Sequence, residues 1–205
     1  MRLVIAHKPL RRILAWVQRA LFAGAVAALA YCAAVLVDTW SFQKEELVRF
    51  EQRLHEQAAL PASVKQSLPA ANGDVIGRID IPRLGLSAII VEGTGRTALR
   101  RAVGHIAGTA EPGQSGNVGI AGHRDTFFRP LRNVQSNDMI TLTTAEGEYH
   151  YRVVSTKVTG PYDVAVLDTS EGEILTLVTC YPFYFVGFAP DRFIVRAERL
   201  TGYGA

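Results

Sequence analysis

The sequence predicts a mainly β domain, a closed or nearly closed barrel of about eight short strands with few helices, preceded by one transmembrane helix. An uncharged apolar run at residues 20–37 predicts the helix. Short alternating or apolar segments separated by turn residues after residue 74 predict the barrel. The 205 residues, 48% hydrophobic and 20% charged, suffice for one ordinary domain with an accessory segment and exclude a disordered or fibrous chain.

The N-terminal apolar run is interpreted as an uncleaved membrane anchor. It is close to the length of about 20 residues that crosses a bilayer, and Trp16 and Trp40 bracket it as interfacial residues would. Five basic residues and no acidic residue precede it. The positive-inside rule therefore predicts a single-pass protein of the plasma (inner) membrane, with a cytoplasmic N-terminus and everything after Trp40 outside. A cleaved signal peptide is the alternative, but its apolar core is about 7–15 residues long.

Net charge argues against a nucleic-acid partner. The formal charge of +3 comes from the N-terminal tail, because thirteen Lys and Arg residues face fourteen Asp and Glu residues from Asn72 onward. No cluster of His, Cys and carboxylate residues has metal-ligand spacing, and no phosphate-binding glycine motif is present. The sequence therefore predicts neither a metal nor a cofactor.

The segment after the anchor is predicted to be helical. Its apolar residues recur with a spacing of three to five, at Phe42, Leu47, Phe50 and Leu54. A solvated stalk is the favoured interpretation, and a packing or dimer surface is the alternative. Pro61, Pro69 and Asn72-Gly73 then mark a boundary. The predicted organisation is a basic tail at 1–19, an anchor at 20–40, a helical stalk or linker at 41–71 and the β domain at 72–205.

The β domain is predicted element by element from its periodicity. Turn residues such as Glu146-Gly147 separate the elements and suggest one hairpin. The predicted strands are 75–81, 87–91, 117–122, 139–144, 148–158, 174–179 and 192–200, and the predicted helical segments are 94–102 and 127–133.

Cys180 is the strongest candidate for a chemically active residue. It ends the apolar strand 174–179 and is the only thiol outside the membrane run, which contains Cys32. A strand end can present a thiol to a substrate, whereas the alternative is a buried small hydrophobe. His123, directly after a predicted strand, and His105, before a Gly/Pro-rich loop, are both candidate partners. Periodicity favours His123 and leaves both open.

Arg192 is the candidate cation. It opens the last predicted strand, twelve residues after Cys180, and an antiparallel pairing would place it beside the thiol. A guanidinium is a fixed charge with several donors, which suits the stabilisation of an anion. Arg196 points to the same side of that strand, four residues further from its start. Its alternative interpretation is an exposed charge on the barrel surface.

Four segments resemble a known family. TLVTCYP at 176–182 resembles the TLxTC signature of sortases, and AGHRDTFFRPL at 121–131 resembles the segment around their catalytic histidine. Arg192 in DRFIV resembles the arginine that begins the last sortase strand, and GHIAGTAEPGQSGN at 104–117 resembles a loop of class D and proteobacterial-type sortases. The resemblance covers about residues 74–200 and implies a sortase-like closed eight-stranded barrel.

The resemblance implies a cysteine transpeptidase that works in two steps. The Cys180 thiolate attacks the Thr carbonyl of an LPXTG-like sorting signal and forms a thioacyl enzyme. His123 protonates the departing amine and later deprotonates an incoming amine. Arg192 hydrogen-bonds the substrate backbone or the oxyanion. His105 then has a loop-shaping role.

The resemblance also implies substrate-binding residues and partners. The loop at 158–173 would line the groove, with Val166 and Leu167 in its apolar wall; ordinary packing on the barrel is the alternative for these side chains. Thr179 would support the substrate or the loop geometry, and the backbone amide near Tyr181 would be a second oxyanion donor. The expected partners are surface proteins with a C-terminal LPXTG-like signal, an amine acceptor (a peptidoglycan precursor or another protein) and membrane lipid around the N-terminal helix.

Three other functions share features with this sequence. An L,D-transpeptidase would need its cysteine and arginine two residues apart, which Cys180 and Arg192 do not satisfy. An inactive membrane-tethered peptide-binding barrel would not need the Cys, His and Arg that are present. A pilin-polymerising sortase stays open, although no lid-like insertion precedes the domain.

Overall fold

The computed structural model of the protein describes residues 7–58, 70–169, 172–185 and 187–200. It divides into two compact units, Met1–Ser41 and Phe42–Ala205. Of the residues that predict a domain boundary near residue 72, Pro61 and Pro69 lie outside the described residues, and Asn72-Gly73 forms a turn before the first strand.

Helix α1 (His7–Ala58) contains the apolar run of the sequence. By length and composition it is able to cross a membrane. The apolar side chains of the helix within the first unit, such as Trp16, Phe22 and Leu29, are exposed. An exposed apolar surface of this size fits a lipid environment. The helix is therefore a candidate membrane span.

The second unit contains a closed barrel, as the sequence predicts. The strands are β1 (Val75–Ile81), β2 (Leu86–Glu92), β3 (Val103–His105), β4 (Gly116–Ala121), β5 (Met139–Thr144), β6 (Glu148–Thr159), β7 (Glu173–Tyr181) and β8 (Asp191–Arg199). Their order in the barrel is β1-β2-β3-β4-β7-β8-β6-β5, with the β2/β3 and β4/β7 pairs parallel and the other pairs antiparallel. The short helix α2 (Arg96–Arg101) connects β2 to β3.

Alternate residues of the strands fill the barrel interior. On β7 and β8, for example, Leu175, Leu177, Val195 and Ala197 are fully buried in one apolar cluster with residues from the other strands. The residues between them therefore face outward, and Cys180 belongs to this outward set. The interior is a packed core, so chemistry at this domain has to occur on its outside or at its ends.

Strand β3 has no counterpart among the seven strand segments predicted from the sequence, and it completes the predicted number of about eight. It has only three residues and pairs with β2 on one side and β4 on the other. The predicted helix 94–102 is shorter in the structure, at Arg96–Arg101, because the chain turns extended at Ala102 to enter β3. A three-residue strand is too short to produce a periodic signal.

The second part of α1 packs on the outside of the barrel. Phe50 is only 4% exposed, and Phe42 and Leu47 contact a buried cluster that includes Ile89. The Gln43 side chain accepts a hydrogen bond from the Ile89 backbone amide at 3.0 Å and donates to the Arg101 carbonyl at 2.5 Å. The structure therefore favours the packing alternative for this segment over a solvated stalk.

Candidate active site

Cys180 and Arg192 lie opposite each other on neighbouring strands. The antiparallel register of β7 and β8 pairs Cys180 with Arg192 directly. Cys180 is a free, half-buried cysteine one residue before the end of β7, and Arg192 is the second residue of β8. Side chains of directly opposed residues start about 4.5–5.5 Å apart, so the Arg192 side chain begins next to that of Cys180.

The Arg192 side chain is held within the β7–β8 connection. Its Nη1 donates to the carbonyl oxygens of Asp191 at 2.9 Å and Ala189 at 3.3 Å. A guanidinium has five N–H donors, so these two contacts do not exhaust it. The arrangement fixes the cation and leaves it able to bind oxygen atoms of a ligand.

His123 reaches the same end of the barrel from the other side of β7. Parallel strands β4 and β7 pair Ala121 with Val178, and continuing this register by two residues brings the His123 backbone level with Cys180. The Gly122 amide donates to the Val178 carbonyl at 3.1 Å, which extends the pairing past the end of β4. The His123 side chain is exposed, as a group that exchanges protons with a substrate must be.

Thr179 is hydrogen-bonded to the loop that carries His123. It is 2% exposed, and its hydroxyl donates to the Gly122 carbonyl at 2.8 Å. Because successive residues of a strand point to opposite faces, Thr179 points away from the side that carries Cys180. This position assigns Thr179 to the loop geometry rather than to the substrate-contacting surface.

Phe128 and Gly122 fix the loop that carries His123. The amide of Phe128 donates to the His123 carbonyl at 3.1 Å, and the Phe128 ring is completely buried in the barrel core. A Cβ at Gly122 would lie 2.7 Å from that ring, closer than real Cβ contacts come. Glycine is therefore required at the residue before the histidine.

Arg124 is a functional candidate that the sequence analysis missed. It is only 6% exposed, and its Nη1 donates to the Pro182 carbonyl at 2.7 Å. Its Nε and Nη2 donate to the two carboxylate oxygens of Asp125 at 3.1 and 3.2 Å. One buried guanidinium thus ties the residue after His123 to the chain two residues after Cys180.

Val166 and Leu167 lie in a 3-10 turn, Val164–Leu167, that is anchored to the barrel. Buried Asn117 on β4 donates to the carbonyl oxygens of Val166 at 3.0 Å and Asp168 at 3.3 Å. Thr176 on β7 donates to Asn117 at 2.7 Å, so the amide is oriented from both sides. The anchor holds the half-buried Val166 and Leu167 over the outer face of β4, β7 and β8.

Tyr181 belongs to an aromatic cluster at the end of β7. Its ring stacks on Phe193 with centroids 6.2 Å apart and meets the edge of Phe183 at 6.0 Å. Such pairs contribute about 0.5–1.5 kcal/mol beyond their buried area. The cluster holds the residue after Cys180 in place, while Tyr184 and Phe188 further along the connection are exposed.

His105 has a different environment from His123. It is 3% exposed, with Nδ1 2.8 Å from Glu92 Oε2 and Nε2 3.0 Å from both the Ala110 carbonyl and Thr109 Oγ1. Strand β4 separates it from β7. Both ring nitrogens are occupied by partners that shape the β3–β4 connection, so His105 is not available to the Cys180 thiol.

Metal binding by the described residues would need a group of several ligating side chains. Within the described ranges, no group of three or more His, Cys, Asp or Glu side chains is arranged to hold a metal ion. A β-barrel domain with a free cysteine paired in register with an arginine and level with an exposed histidine has the composition of a cysteine-dependent acyl-transfer enzyme.

Comparison with known proteins identifies the family. A family model described as Sortase domain matches residues 79–200. Sortase D of Bacillus subtilis (strain 168) is 36% identical over 141 residues, which cover 68% of this chain and 71% of that protein. The chain belongs to the sortase family of cysteine transpeptidases, and the resemblance predicted from the sequence is confirmed.

Solved structures of sortases have the same fold. A Clostridium perfringens Sortase D5 transpeptidase aligns with a TM-score of 0.66 and 31% identity, over 78% of this chain and 99% of that one. Sortase E1 from Streptomyces coelicolor, solved with a tripeptide in the active site, aligns with a TM-score of 0.57 and 30% identity, over 64% of this chain and 91% of that one. The closed eight-stranded barrel is therefore shared with these enzymes.

Proposed function

We propose that this enzyme cleaves an LPXTG-like sorting signal after its Thr residue and transfers the protein to an amine, with Cys180, His123 and Arg192 as its catalytic residues. The observation that carries the proposal is the register of three strands. Cys180 is paired with Arg192 across β7 and β8, and His123 follows β4 level with Cys180. His123, which precedes Cys180 by 57 positions, and Arg192, which follows it by 12, thereby meet Cys180 at one end of the barrel.

In the first step the Cys180 thiolate attacks the carbonyl carbon of the Thr residue. A carbon–sulfur bond forms, and the carbon–nitrogen bond of the scissile peptide breaks as the tetrahedral intermediate collapses. His123, as imidazolium, gives its proton to the departing amine nitrogen. The product is a thioester on Cys180 and a neutral imidazole.

In the second step an amine attacks the thioester. His123 accepts the proton of the incoming amine, the new carbon–nitrogen bond forms, and the carbon–sulfur bond breaks. The thiolate and the imidazolium are thereby restored. Exposure of the His123 side chain supports this role, because the leaving and entering amines both have to reach it.

Arg192 is proposed to stabilise the negative charge that develops on the attacked carbonyl oxygen. Its contacts with the Asp191 and Ala189 carbonyls hold the guanidinium in the β7–β8 connection, on the residue paired with Cys180, before substrate arrives. A donor that is already in place loses no free energy to reorganisation during the reaction, and removing one such donor costs about a hundred- to a thousandfold in rate. The backbone amide of Tyr181 is proposed as the second donor.

The apolar part of the sorting signal is proposed to lie against Val166 and Leu167. The turn that contains them is fixed by Asn117, so this wall is formed before substrate binds. Pre-formed walls reduce the entropy cost of ordering an extended peptide.

Helix α1 is proposed to anchor the enzyme in the plasma membrane with the barrel outside the cytoplasm. The five basic residues before the apolar run support this orientation. The proposed clients are surface proteins with a C-terminal sorting signal, and the proposed acceptor is an amine of a peptidoglycan precursor or of another protein.

The test uses the full chain in detergent micelles. It is incubated with a panel of LPXTG-like peptides and an amine acceptor, and products are identified by mass spectrometry. Cys180→Ala should abolish both cleavage after Thr and the thioacyl adduct, whereas Cys32→Ala, which removes the thiol of the apolar helix, should retain both. Turnover that survives in Cys180→Ala, or that is lost in Cys32→Ala, would refute the assignment of the nucleophile.

A further inference from the structure

A cavity lies on the outer face of the barrel beside the proposed substrate wall. It has a volume of about 230 Å³ and is enclosed by β6, β8 and the 3-10 turn that carries Val166. Ile194, which is 5% exposed, forms part of its surface. Its lining residues are Ser155, Lys157, Asp163, Ala165, Val166, Ile194 and Arg196.

One cation in this cavity is already paired. Lys157 Nζ lies 3.3 Å from Asp163 Oδ2, and the hydroxyl of Thr159 also donates to that carboxylate. The hydrogen bonds from Thr159 and Lys157 hold the pKa of Asp163 below its ordinary value, so the carboxylate is ionised at neutral pH. Asp163 therefore neutralises Lys157 and contributes no net charge to the cavity.

Arg196 is the remaining cation. It is half-buried on β8, and the residues that face it in register are the hydroxyl residues Ser155 on β6 and Thr176 on β7. Among the residues that the structure describes, no carboxylate forms an ion pair with its guanidinium. With Lys157 neutralised, the cavity has a net charge of +1, which complements one carboxylate.

The position of Arg196 relative to the catalytic end sets which part of a peptide it can reach. It follows Arg192 by four residues on the same face of β8, a distance of about 13 Å at 3.3 Å per residue. An extended peptide covers a similar distance in about four residues. If the attacked Thr lies at Cys180, the residue four positions before it lies near Arg196. In an LPXT motif this is the residue immediately before the Leu.

We propose that Arg196 binds a carboxylate of the substrate, so that the enzyme prefers sorting signals with Asp or Glu immediately before the LPXTG-like motif. This inference rests on the proposed function and adds a specificity determinant to it. A guanidinium binds a carboxylate through two parallel hydrogen bonds, and partial burial strengthens the contact relative to one in open water.

The test compares three peptides that differ only in the residue before the motif, which is Glu, Gln or Lys. The full chain in detergent micelles is assayed for kcat/KM with each peptide at low salt. We expect the Glu peptide to exceed the Lys peptide by about three- to tenfold, and 0.5 M NaCl, at about a 4 Å Debye length, to reduce the ratio. The matched variants are Arg196→Gln, Arg196→Glu and Arg152→Gln, the last removing an exposed β6 arginine that does not line the cavity.

The variants separate charge recognition from a general effect. Arg196→Gln should abolish the preference, Arg196→Glu should reverse it in favour of the Lys peptide, and Arg152→Gln should keep it. Equal rates with the three peptides in the unmodified enzyme, or a preference that survives in Arg196→Gln, would overturn the inference while leaving the proposed function intact.

A separate measurement distinguishes failure of the inference from failure of the proposed function. If no peptide is turned over, the proposed function fails, and the affinities of fluorescently labelled peptides for Cys180→Ala decide the inference. Tighter binding of the Glu peptide than of the Lys peptide supports it, and equal affinities or no binding overturn it.

Discussion

Replacing Arg124 by Gln removes the buried link between the histidine loop and the end of β7. The lost contacts are the 2.7 Å hydrogen bond to the Pro182 carbonyl and the two-pronged pair with Asp125. A hydrogen bond from a charged donor contributes about 1.5–3 kcal/mol. The Asp125 side chain is 71% exposed and remains hydrated without its partner, so the pair with Asp125 adds little.

The size of the kinetic effect follows from this free energy. If the link holds His123 and Cys180 in the geometry that the transition state needs, about 1.5–3 kcal/mol corresponds to a loss of about ten- to a hundredfold in kcat. KM should change little, because the guanidinium is buried under the loop and does not reach the peptide surface. Arg124→Lys should recover part of the rate, since an ammonium can still reach one acceptor.

The assay measures kcat and KM with a sorting-signal peptide, the melting temperature, and the rate of Cys180 alkylation by iodoacetamide across pH. Asp125→Asn is the matched control and should lose far less activity than Arg124→Gln. A positioning role predicts an altered pH profile of alkylation, which a purely structural role would leave unchanged. The reasoning is refuted if kcat of Arg124→Gln stays within about twofold of the unmodified enzyme, or if the loss appears only in KM.

Three further changes have defined outcomes. Gly122→Ala places a Cβ against the buried Phe128 ring and should cost about 1–3 kcal/mol of stability together with most of the activity, measured by melting and peptide turnover. Arg83 hydrogen-bonds the Asp138 carboxylate and lowers its pKa, so Asp138 stabilises the fold above about pH 4 and ceases to do so as pH falls through its lower folded-state pKa. Asp138→Asn should therefore lower the melting temperature at pH 7, and this effect should shrink progressively as the pH falls below about 4. Phe50→Ala should lower the unfolding free energy by about 3 kcal/mol, because the Phe50 ring is almost completely buried.

Each of these changes has a control. Gly160→Ala, at an exposed glycine, introduces a Cβ with nothing within 4 Å and should leave the stability nearly unchanged. Val48→Ala truncates an exposed side chain of the same helix as Phe50, and an equal effect of the two changes would contradict the packing argument. A melting difference for Asp138→Asn that is the same at pH 7 and pH 3 would show that its charge is not responsible.

The parts of the site that the sequence predicts are those encoded by strand ends. Cys180 ends an apolar run and Arg192 begins an alternating one, and both patterns are visible in this single sequence. The choice between His123 and His105 stays open at that level, because a position after a predicted strand and a position before a Gly/Pro-rich loop can both reach a barrel end. The structure distinguishes them by burial and by the strand β4 that stands between His105 and Cys180.

The supporting residues are not predictable from the sequence for a physical reason. Arg124 donates to the carbonyl of residue 182 and Asn117 to the carbonyl of residue 166, which are 58 and 49 positions away. A backbone carbonyl is present at every residue, so neither partner leaves a signal in the choice of amino acid. An arginine after a histidine and an asparagine in a Gly-rich loop look like ordinary surface residues until the register is known.

The topology of the barrel explains why three residues so far apart in the chain meet. Strands β4 and β7 are parallel neighbours, so their C-terminal ends lie at the same edge and bring His123 level with Cys180. Strand β8 is antiparallel to β7, so it begins where β7 ends and brings Arg192 opposite Cys180. The interior of the barrel is filled with apolar side chains, and Phe128 from this core and the inward-pointing Thr179 fix the loop that carries His123. We therefore expect residues that fix this edge, Thr179 and Arg124 among them, to control the geometry of the proposed reaction without contacting the substrate.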